Sequence, residues 1–260
     1  MITADELVRM LGIDGAERDI QVIQTAFRMR LVEGWQIFPG ARVLEVGCGQ
    51  GDMTAVLALA VGPDGHVTAV DSADPGYGAP LTLGEATQRL QKSELGSRMS
   101  FHFGCDLLEP SRAFLANAFD YVVFTHCSWY FSSLEHFTRI LSVVRPWARQ
   151  LCYSEWNLEP QDFGQVAHLL SALIQGQIEV FKQGSSANIR TPFSRDMAKR
   201  LLSAAGWKVE REFLLDAAEM HDANWEVAAC LQSATSEMAT LEMPPRLRDL
   251  LERVSKLQSE

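Results

Sequence analysis

The chain has 260 residues, of which 47% are hydrophobic and 22% are charged, and its formal net charge is −10. This balance is typical of a folded globular protein and excludes the disordered and fibrous classes. The acidic charge disfavours nucleic acid and anionic membranes as partners, because both are polyanionic surfaces. We therefore expect a small-molecule substrate, and homodimer formation stays open.

The five cysteines are scattered and form no C-x-x-C pair. This predicts reduced thiols in a cytoplasmic protein, with no zinc or redox site among them. Acidic residues in the N-terminal segment argue against a signal peptide. No apolar run approaches the roughly 20 residues that cross a bilayer, so no membrane span is expected.

Two helices are predicted in the N-terminal segment. Thr3 and Glu6 have the spacing of a capping box, in which a hydroxyl and a carboxylate bond free backbone donors at a helix start. A second helix is expected from about 16 to 38, because its apolar residues recur at three- and four-residue steps. Pro39 and Gly40 are expected to end it.

From residue 41, short β-branched runs alternate with helical stretches, which is typical of a parallel sheet with helices on both faces. Strands are predicted at about 42–46, 66–70, 99–103, 119–124 and 148–155. Helices are predicted between them near 52–61, 83–96, 111–116 and 134–145.

The segment 157–192 is too long for a simple connection after the fifth strand, and an apolar stripe predicts a helix at about 162–182 within it. His168 and Ser171 lie on the side opposite that stripe. The remaining predicted elements are a helix at 195–205, strands at 207–215 and 225–232 that form a hairpin around His221 and Asp222, and a helix from about Arg246.

No linker, repeat or low-complexity segment divides the sequence, which predicts a single domain over 1–260. Its expected parts are the N-terminal helices at 1–39, a ligand-binding half at 40–156, the helical insertion at 157–192, and a C-terminal helix, hairpin and tail at 193–260.

The most informative segment is the strand at 42–46, which runs through a glycine-rich turn into a helix. Gly47, Gly49 and Gly51 let the backbone approach a ligand closely, because glycine has no Cβ. Asp52 stands where a dinucleotide-binding turn has its third glycine, and its carboxylate would repel a pyrophosphate at the helix N-terminus. The pattern favours a ligand without phosphates and opposes a nicotinamide oxidoreductase.

Asp71 follows the next predicted strand. An acidic side chain at this position can accept hydrogen bonds from both hydroxyls of a ribose. The glycine turn and Asp71 together therefore predict a nucleoside-binding site.

Glu45-x-Gly47-x-Gly49-x-Gly51, followed by Asp71, resembles the first two motifs of class I S-adenosylmethionine-dependent methyltransferases. The resemblance covers about residues 40–156 and 194–232. It implies S-adenosylmethionine as cofactor, S-adenosylhomocysteine as product, and methyl transfer to a small molecule.

The resemblance also implies a fold. We expect a Rossmann-like, seven-stranded, mostly parallel sheet with an antiparallel last strand, an N-terminal helical extension and a helical insertion after strand five. The extension and the insertion lie outside the resemblance, and we expect them to select the substrate.

Asp106 matches the family's aspartate that contacts the adenine amino group. The full set of residues that the resemblance assigns to the cofactor is Glu45, Gly47, Cys48, Gly49, Gly51, Asp71, Ser72, Asp106, Leu107 and Thr125.

His126 and Glu155 are the candidate catalytic residues, because they follow strands four and five, where ligands of parallel sheets bind. A histidine near the methyl group can act as general base for a hydroxyl acceptor, which slightly favours O-methylation over N- or C-methylation. The alternative is that His126 packs against the cofactor and orients Thr125. Glu155 is expected to orient a base, bind a cationic substrate, or serve as a structural carboxylate.

Trp129, Tyr130 and Trp156 are candidate substrate-binding residues, because aromatic rings at strand ends can wall an aromatic or cationic pocket. Their alternative role is plain core packing. We expect no metal, because the strand ends lack the aspartates that a metal-dependent site of this type would use. Two further functions stay open: a cofactor-dependent reaction without methyl transfer, and a catalytically silent binding or scaffold protein.

Overall fold

The computed structural model describes residues 2–15, 18–185 and 187–256. In this part of the chain, five parallel strands form one sheet in the order β3-β2-β1-β4-β5. The strands are β1 (Arg42–Val46), β2 (His66–Val70), β3 (Met99–His102), β4 (Phe119–Thr125) and β5 (Ala148–Ser154).

The strand order reverses between β1 and β4. Leu44 pairs with Thr68 of β2 on one side and with Val122 of β4 on the other. Because β1 and β4 are nearly continuous runs of buried side chains, they fit the central positions of a parallel sheet. The carboxyl ends of β1 and β4 therefore meet at the switch point where such sheets bind ligands.

Nine helices accompany the sheet in the described residues. They are α1 (Ala4–Met10), α2 (Arg18–Trp35), α3 (Asp52–Val61), α4 (Leu83–Gln91), α5 (Leu134–Val144), α6 (Val166–Glu179), α7 (Arg195–Ala204), α8 (Asp222–Ala239) and α9 (Pro245–Lys256). Of these, α3 packs against the first three strands, and α2 packs against α3.

The N-terminal predictions hold with shifted boundaries. The capping box of Thr3 and Glu6 is present at the start of α1. The helix predicted over 16–38 is α2, which ends at Trp35 because Gln36 has a φ of 58° and leaves the helical conformation. The predicted first residues of that helix, 16 and 17, lie outside the described residues.

The prediction of seven strands with an antiparallel last strand is wrong, because the described residues contain five strands, all parallel. The segment 225–232 lies within α8. Cys230, Ala234 and Met238 are its buried residues, and this four-residue spacing is helical. A short apolar run does not distinguish a strand from a buried helix, which explains the error.

The segment 207–215 has no regular structure, so its prediction as a strand is also wrong. Without the last strand it lacks a ladder partner, and side chains anchor it instead. Trp207 donates its indole N–H to the carbonyl oxygen of Leu141 at 3.0 Å. The predicted helix at 111–116 is likewise absent, and only the short 3-10 turn Pro110–Arg112 forms there.

The described residues divide into two compact units. The first unit takes those within 1–127, 139–155 and 203–220, and it contains the sheet. The second takes those within 128–138, 156–202 and 221–260. In the second unit, α6, α8 and α9 share a hydrophobic core that includes Ile174, Cys230 and Leu251.

Candidate functional site

The glycine turn between β1 and α3 adopts a backbone that favours glycine. The φ angles of Gly47, Gly49 and Gly51 are 75°, 52° and 89°. A Cβ on Gly47 would lie 2.8 Å from the Cβ of Cys127, whereas a Cβ on Gly49 would meet nothing within 4 Å. Gly47 is therefore required by packing, and Gly49 faces open space at the end of β1.

Hydrogen bonds tie the glycine turn to the end of β2. The amides of Gly47 and Cys48 donate to the carbonyl oxygen of Val70 at 2.9 and 3.2 Å. The Gly49 amide donates to Oδ2 of Asp71 at 2.9 Å. The glycine turn and Asp71, which the sequence predicts to bind a nucleoside together, are therefore hydrogen-bonded to each other.

Asp71 organises the loops that follow β2 and β3. Its Oδ1 accepts from the amide of Ala73 at 2.9 Å, and its own carbonyl accepts from the amide of Cys105 at the same distance. Both carboxylate oxygens thus already hold one backbone amide each. Each oxygen has a further lone pair, so the carboxylate can still accept ligand hydroxyls.

The bond from Cys105 to Asp71 also places the segment after β3 beside the end of β2. In this segment Leu107 is buried and Asp106 is exposed, with Oδ1 of Asp106 accepting from the amide of Leu108 at 2.9 Å. Ser72 is exposed. The structure therefore brings the predicted cofactor residues of β1, β2 and β3 together.

Glu45 is a carboxyl group within β1 that is only 2% exposed. The Thr54 hydroxyl of α3 donates to its Oε2 at 2.6 Å. Burial raises the pKa of Glu45 to about 8, although the bond from Thr54 and the charge of Arg28 lower it. Glu45 is therefore largely uncharged at neutral pH. Its bond with Thr54 joins β1 to α3 on either side of the glycine turn.

Thr125 ends β4, next to the end of β1 in the sheet. Its hydroxyl oxygen is buried and has no hydrogen-bond partner among the described residues. Buried polar atoms are nearly always bonded in native proteins, so an unbonded one at a switch point indicates a ligand contact. This observation supports the assignment of Thr125 to the ligand site.

His126 adopts a φ of 46°, a left-handed conformation that is uncommon for residues other than glycine. Its Nε2 lies 3.2 Å from the Ser154 hydroxyl, and its ring packs on Phe27 with centroids 5.7 Å apart. Burial, with a smaller effect of the Arg28 charge, lowers the pKa of His126 to about 3. The imidazole is therefore neutral across the physiological range.

Glu155 follows β5 and is partly buried.

Two buried thiols lie near the glycine turn. Burial raises the pKa of the Cys127 thiol well above its usual value, and the charge of Glu155 adds to this effect. Burial also raises the pKa of Cys48. Both thiols are protonated at neutral pH, so neither is a nucleophile there.

A polar stripe on α2, which the sequence predictions did not include, reaches Asp52 beside the glycine turn. Gln21 donates to Oδ1 of Asp52 at 2.7 Å, and Arg28 lies 3.4 Å from Oδ2 of the same carboxylate. Gln21, Gln24 and Arg28 recur at three- and four-residue steps beside the apolar stripe, which is the signal that would have revealed them. Thus polar side chains of α2 contact Asp52, the residue that directly follows the glycine turn.

The three predicted substrate residues lie in the second unit. Trp129 is only 2% exposed, and its indole N–H has no partner among the described residues. Its carbonyl oxygen accepts from the amides of Arg190 and Thr191. Tyr130 is 46% exposed, so it is no part of a core.

Trp156 meets His168 of α6 edge-to-face, with ring centroids 5.9 Å apart. The Nε2 of His168 is buried without a hydrogen-bond partner in the described chain, and burial lowers the pKa of this histidine. The Asp222 charge acts in the opposite direction. His221 and Asp222, predicted as a hairpin loop, instead stand at the start of α8.

A polar seam runs between α6 and α8 and is defined here by His168, Gln175, Glu226 and Glu237. Gln175 donates to Glu226 at 3.3 Å, and burial raises the pKa of Glu226. The sequence indicated a polar side for α6, but the structure packs part of that side against α8. The seam supplies polar groups to the interior of the second unit.

Within the described residues, no group of three or more His, Cys, Asp or Glu side chains is arranged to hold a metal ion. None of the described helices is long and apolar enough to cross a membrane.

Residues 43–147 match a protein family described as a methyltransferase domain. The chain is also similar to a cyclopropane-fatty-acyl-phospholipid synthase-like protein from Lactobacillus casei. The two share 33% identity, the likeness covers 99% of this chain and 94% of that one, and the TM-score is 0.87.

Among curated proteins, Methyltransferase phomM′ of Diaporthe leptostromiformis is 28% identical over 253 residues. The match covers 80% of this chain but only 64% of that protein's length. A solved magnesium protoporphyrin IX methyltransferase from Synechocystis, with S-adenosylhomocysteine bound, is 18% identical. It covers 81% of this chain and 87% of its own at a TM-score of 0.50, which is a likeness of fold.

Proposed function

We propose that this chain, which belongs to the class I S-adenosylmethionine-dependent methyltransferases, transfers a methyl group to a small organic acceptor. Family membership rests on the 33% identity and near-complete coverage of the Lactobacillus casei protein, together with the methyltransferase-domain match over 43–147. The cofactor of the chain is accordingly S-adenosylmethionine. When bound, it supplies a methyl group on a positively charged sulfur.

The residues at the end of β1 and β4 fit this cofactor. Gly49 leaves open space where a side chain would otherwise stand, and the Thr125 hydroxyl is buried and unbonded. Asp52 at the start of α3 suits a ligand without phosphates, because it would repel a pyrophosphate there. The open glycine turn joined to Asp71 is the observation that carries the proposal.

Each loop has a proposed role toward the cofactor. Asp71 accepts the ribose hydroxyls on its remaining lone pairs, and Asp106 bonds the adenine amino group. Thr125 bonds the ligand at the end of β4. Glu45 holds α3 to β1 through Thr54 and acts on the turn without touching the ligand.

For the acceptor, we propose O-methylation, with His126 at the reacting end of the site. A pKa near 3 makes His126 a weak base, which supports an orienting role more than proton abstraction. In this role the neutral ring of His126, whose Nε2 lies 3.2 Å from the Ser154 hydroxyl, positions the acceptor. Glu155 is the alternative proton acceptor.

The role of His126 is testable from a pH profile. His126→Asn keeps a hydrogen-bonding side chain that tolerates the left-handed backbone, whereas His126→Ala removes it. If His126 orients the acceptor, turnover falls about 10- to 100-fold in the alanine variant and less in the asparagine variant, with unchanged cofactor affinity. A bell-shaped profile whose limb near pH 6 to 7 disappears in both variants would instead identify it as the base.

We assign selection of the acceptor to the second unit. Trp156 and Tyr130 offer aromatic surface, and His168 has a buried, unbonded ring nitrogen beside Trp156. An acceptor that carries both an aromatic ring and a hydrogen-bonding group is matched by this combination.

The function is tested by incubating the purified chain with S-adenosylmethionine and a panel of small acceptors, and by measuring S-adenosylhomocysteine. Acceptor-dependent formation of S-adenosylhomocysteine supports the proposal. Micromolar cofactor binding by calorimetry without such turnover on any acceptor supports a cofactor-binding protein that is catalytically silent. An absence of binding contradicts the proposal altogether.

The Lactobacillus casei relative favours a second candidate, because it is described as similar to a cyclopropane-fatty-acyl-phospholipid synthase, an enzyme whose name denotes formation of cyclopropane rings on lipid acyl chains. Cofactor labelled with deuterium in the methyl group separates the two reactions. Methyl transfer retains every deuterium in the product, whereas ring formation loses one to solvent. Mass spectrometry of the product therefore decides between them.

A further inference from the structure

Glu226 of α8 is a partly buried carboxyl group that has no cation beside it. Gln175 of α6 donates to its Oε2 at 3.3 Å, and the Asn188 side chain is hydrogen-bonded to the same group. Within the described chain, no lysine or arginine forms an ion pair with Glu226. Charged donors bind a carboxylate about twice as strongly as neutral donors do, so a positive charge beside Glu226 would be favourable.

The carboxyl group of Glu226 also has room for a further hydrogen-bond donor. A carboxylate has about four lone-pair positions, and the two amides use two of them. The residue keeps part of its surface exposed, so a ligand from solvent can reach it. Glu226 can therefore accept hydrogen bonds from a ligand without losing its contacts with the protein.

A second carboxylate and a pair of rings lie around the same contact between α6 and α8. Asp222 is one helical turn before Glu226, and its charge acts on both Glu226 and His168. The ring of Trp156 meets His168 edge-to-face, with centroids 5.9 Å apart. Because Nε2 of His168 is buried and has no hydrogen-bond partner among the described residues, a ligand contact there is indicated.

The segment 188–192, which supplies the asparagine amide to Glu226, is held on two sides. The Thr191 amide donates to the carbonyl oxygen of Trp129 at 3.0 Å. A Cβ on Gly176 of α6 would lie 2.6 Å from a ring carbon of the proline that ends this segment, so the segment packs closely on the helix. The surroundings of Glu226 are thus positioned in advance, which lowers the cost of ordering them on binding.

We propose that the acceptor carries a protonated amino group, that Glu226 binds this group, and that the charge of Asp222 adds to the attraction. The aromatic part of the acceptor lies against Trp156, and a polar group on it bonds Nε2 of His168. A protonated amine has three N–H donors and no acceptor, which fits a carboxylate with unused lone pairs. The inference rests on the proposed function and narrows its acceptor class to aromatic compounds with a basic amino group.

The alternative is that Glu226 only joins α6 to α8. In that case its carboxylate contributes to the stability of the second unit, and the charge of a ligand has no effect on affinity. The two interpretations differ in whether binding depends on the charge of the ligand and on Glu226 together.

Three phenols that differ in the charge of one side arm test this difference. Tyramine carries an ammonium group, 4-ethylphenol is neutral, and 3-(4-hydroxyphenyl)propionate carries a carboxylate. Calorimetry of the purified chain, with and without S-adenosylhomocysteine, measures their affinities. Tyramine should bind about 10-fold more tightly than 4-ethylphenol, as expected for a hydrogen bond to a charged group, and the propionate should bind most weakly.

Glu226→Gln should remove the preference for tyramine. Its affinity for tyramine should fall about 10-fold, to that for 4-ethylphenol, whereas the affinity for 4-ethylphenol should change less than about twofold. Glutamine has the same shape and keeps an acceptor for Gln175, and circular dichroism checks the fold. If this variant fails to fold, Asp222→Asn takes its place, with an expected loss of about threefold for tyramine alone.

Glu237→Gln is the matched control. Glu237 lies on the same helix and in the same seam, but its carboxylate already has a cation, with Lys182 Nζ at 2.6 Å. This variant should bind the three phenols as the wild type does.

A preference for tyramine that is lost in Glu226→Gln and kept in Glu237→Gln supports the inference. Equal affinities for the three phenols, no binding of tyramine at millimolar concentration, or the same preference in Glu226→Gln as in the wild type overturns it. Binding of S-adenosylhomocysteine is measured in the same experiment. If S-adenosylhomocysteine binds and tyramine does not, only the inference fails; if S-adenosylhomocysteine does not bind, the proposed function fails.

Discussion

Carboxylates are withdrawn from water in two regions of this molecule, and the two regions hold them differently. At the glycine turn, Glu45 is buried beneath α3, where Thr54 bonds it and the charge of Arg28 acts on it. In the seam between α6 and α8, Glu226 is held by the neutral amide of Gln175 and by the Asn188 side chain.

At the other end of the same seam, the carboxylates form ion pairs. Lys182 reaches both Glu179 and Glu237, the latter at 2.6 Å, so these carboxylates have a cation beside them. No Lys or Arg of the described residues lies within ion-pair distance of Glu226. A buried carboxylate without such a partner destabilises a fold, and proteins retain this cost mainly where a group serves function.

The largest expected effect concerns Glu45. Its carboxyl ionises near pH 4.5 in the unfolded chain and near pH 8 in the fold, so the folded state binds the extra proton between these values. Wild-type stability should therefore fall as pH rises from about 4.5 to about 8 and level off above that. One pKa unit corresponds to about 1.4 kcal/mol, so the total is up to about 5 kcal/mol.

Glu45→Gln removes this ionisation while keeping an acceptor for Thr54. Urea unfolding at pH 5 and pH 9 should show nearly equal stabilities of the two proteins at the lower pH. At the higher pH the variant should be more stable. A parallel pH dependence of variant and wild type would show that Glu45 ionises normally.

A second pair of variants separates packing from ligand space at the turn. Gly47→Ala should lose about 2 to 4 kcal/mol, because its Cβ would meet Cys127 and its backbone is left-handed. Gly49→Ala should lose only about 1 to 2 kcal/mol of backbone strain, since no atom lies within 4 Å of its Cβ. Thermal unfolding gives both values.

For ligand affinity we expect the opposite order: Gly49→Ala should weaken binding more than Gly47→Ala does. Folded Gly49→Ala should bind S-adenosylhomocysteine much more weakly than the wild type, because the new methyl group occupies the open space. Near-normal affinity in calorimetry would place the ligand elsewhere and contradict the assignment of Gly49.

The smallest effects are expected in the α6–α8 seam. Glu226→Gln should stabilise the protein by about 1 kcal/mol near pH 7, because it removes a buried carboxylate whose pKa is raised. Glu237→Gln should destabilise it by less than about 1 kcal/mol, since Lys182 keeps Glu179. Urea unfolding measures both changes in the free energy of unfolding. Changes of opposite sign would support the difference between the two carboxylates, and changes of equal sign would contradict it.

The segments that meet at the ends of β1, β2 and β3 were largely predictable from local sequence. The glycine spacing after β1, the acid after β2 and the segment at Asp106 all depend on strand ends, which the apolar runs marked correctly. Parallel strands bring their carboxyl ends to one edge, so the residues that follow them meet without any further information.

The fold of the second unit was not predictable in the same way. Residues 227–231 are a short apolar run that suits a strand or a buried helix equally, and in the structure they lie in α8, which packs against α6. The buried, unbonded Nε2 of His168 depends on the chain packed around α6, so no spacing in the sequence announced it.

The sequence by itself determined the five parallel strands, the capped first helix, the glycine turn and the family, because each depends on residues close together in the chain. Only the tertiary structure decided that Arg28 reaches Asp52, that Glu45 is buried enough to hold a proton, and that Thr125 keeps an unbonded hydroxyl. Hydrogen bonding and charge depend on desolvation and on distances between segments remote in sequence, which local patterns do not record.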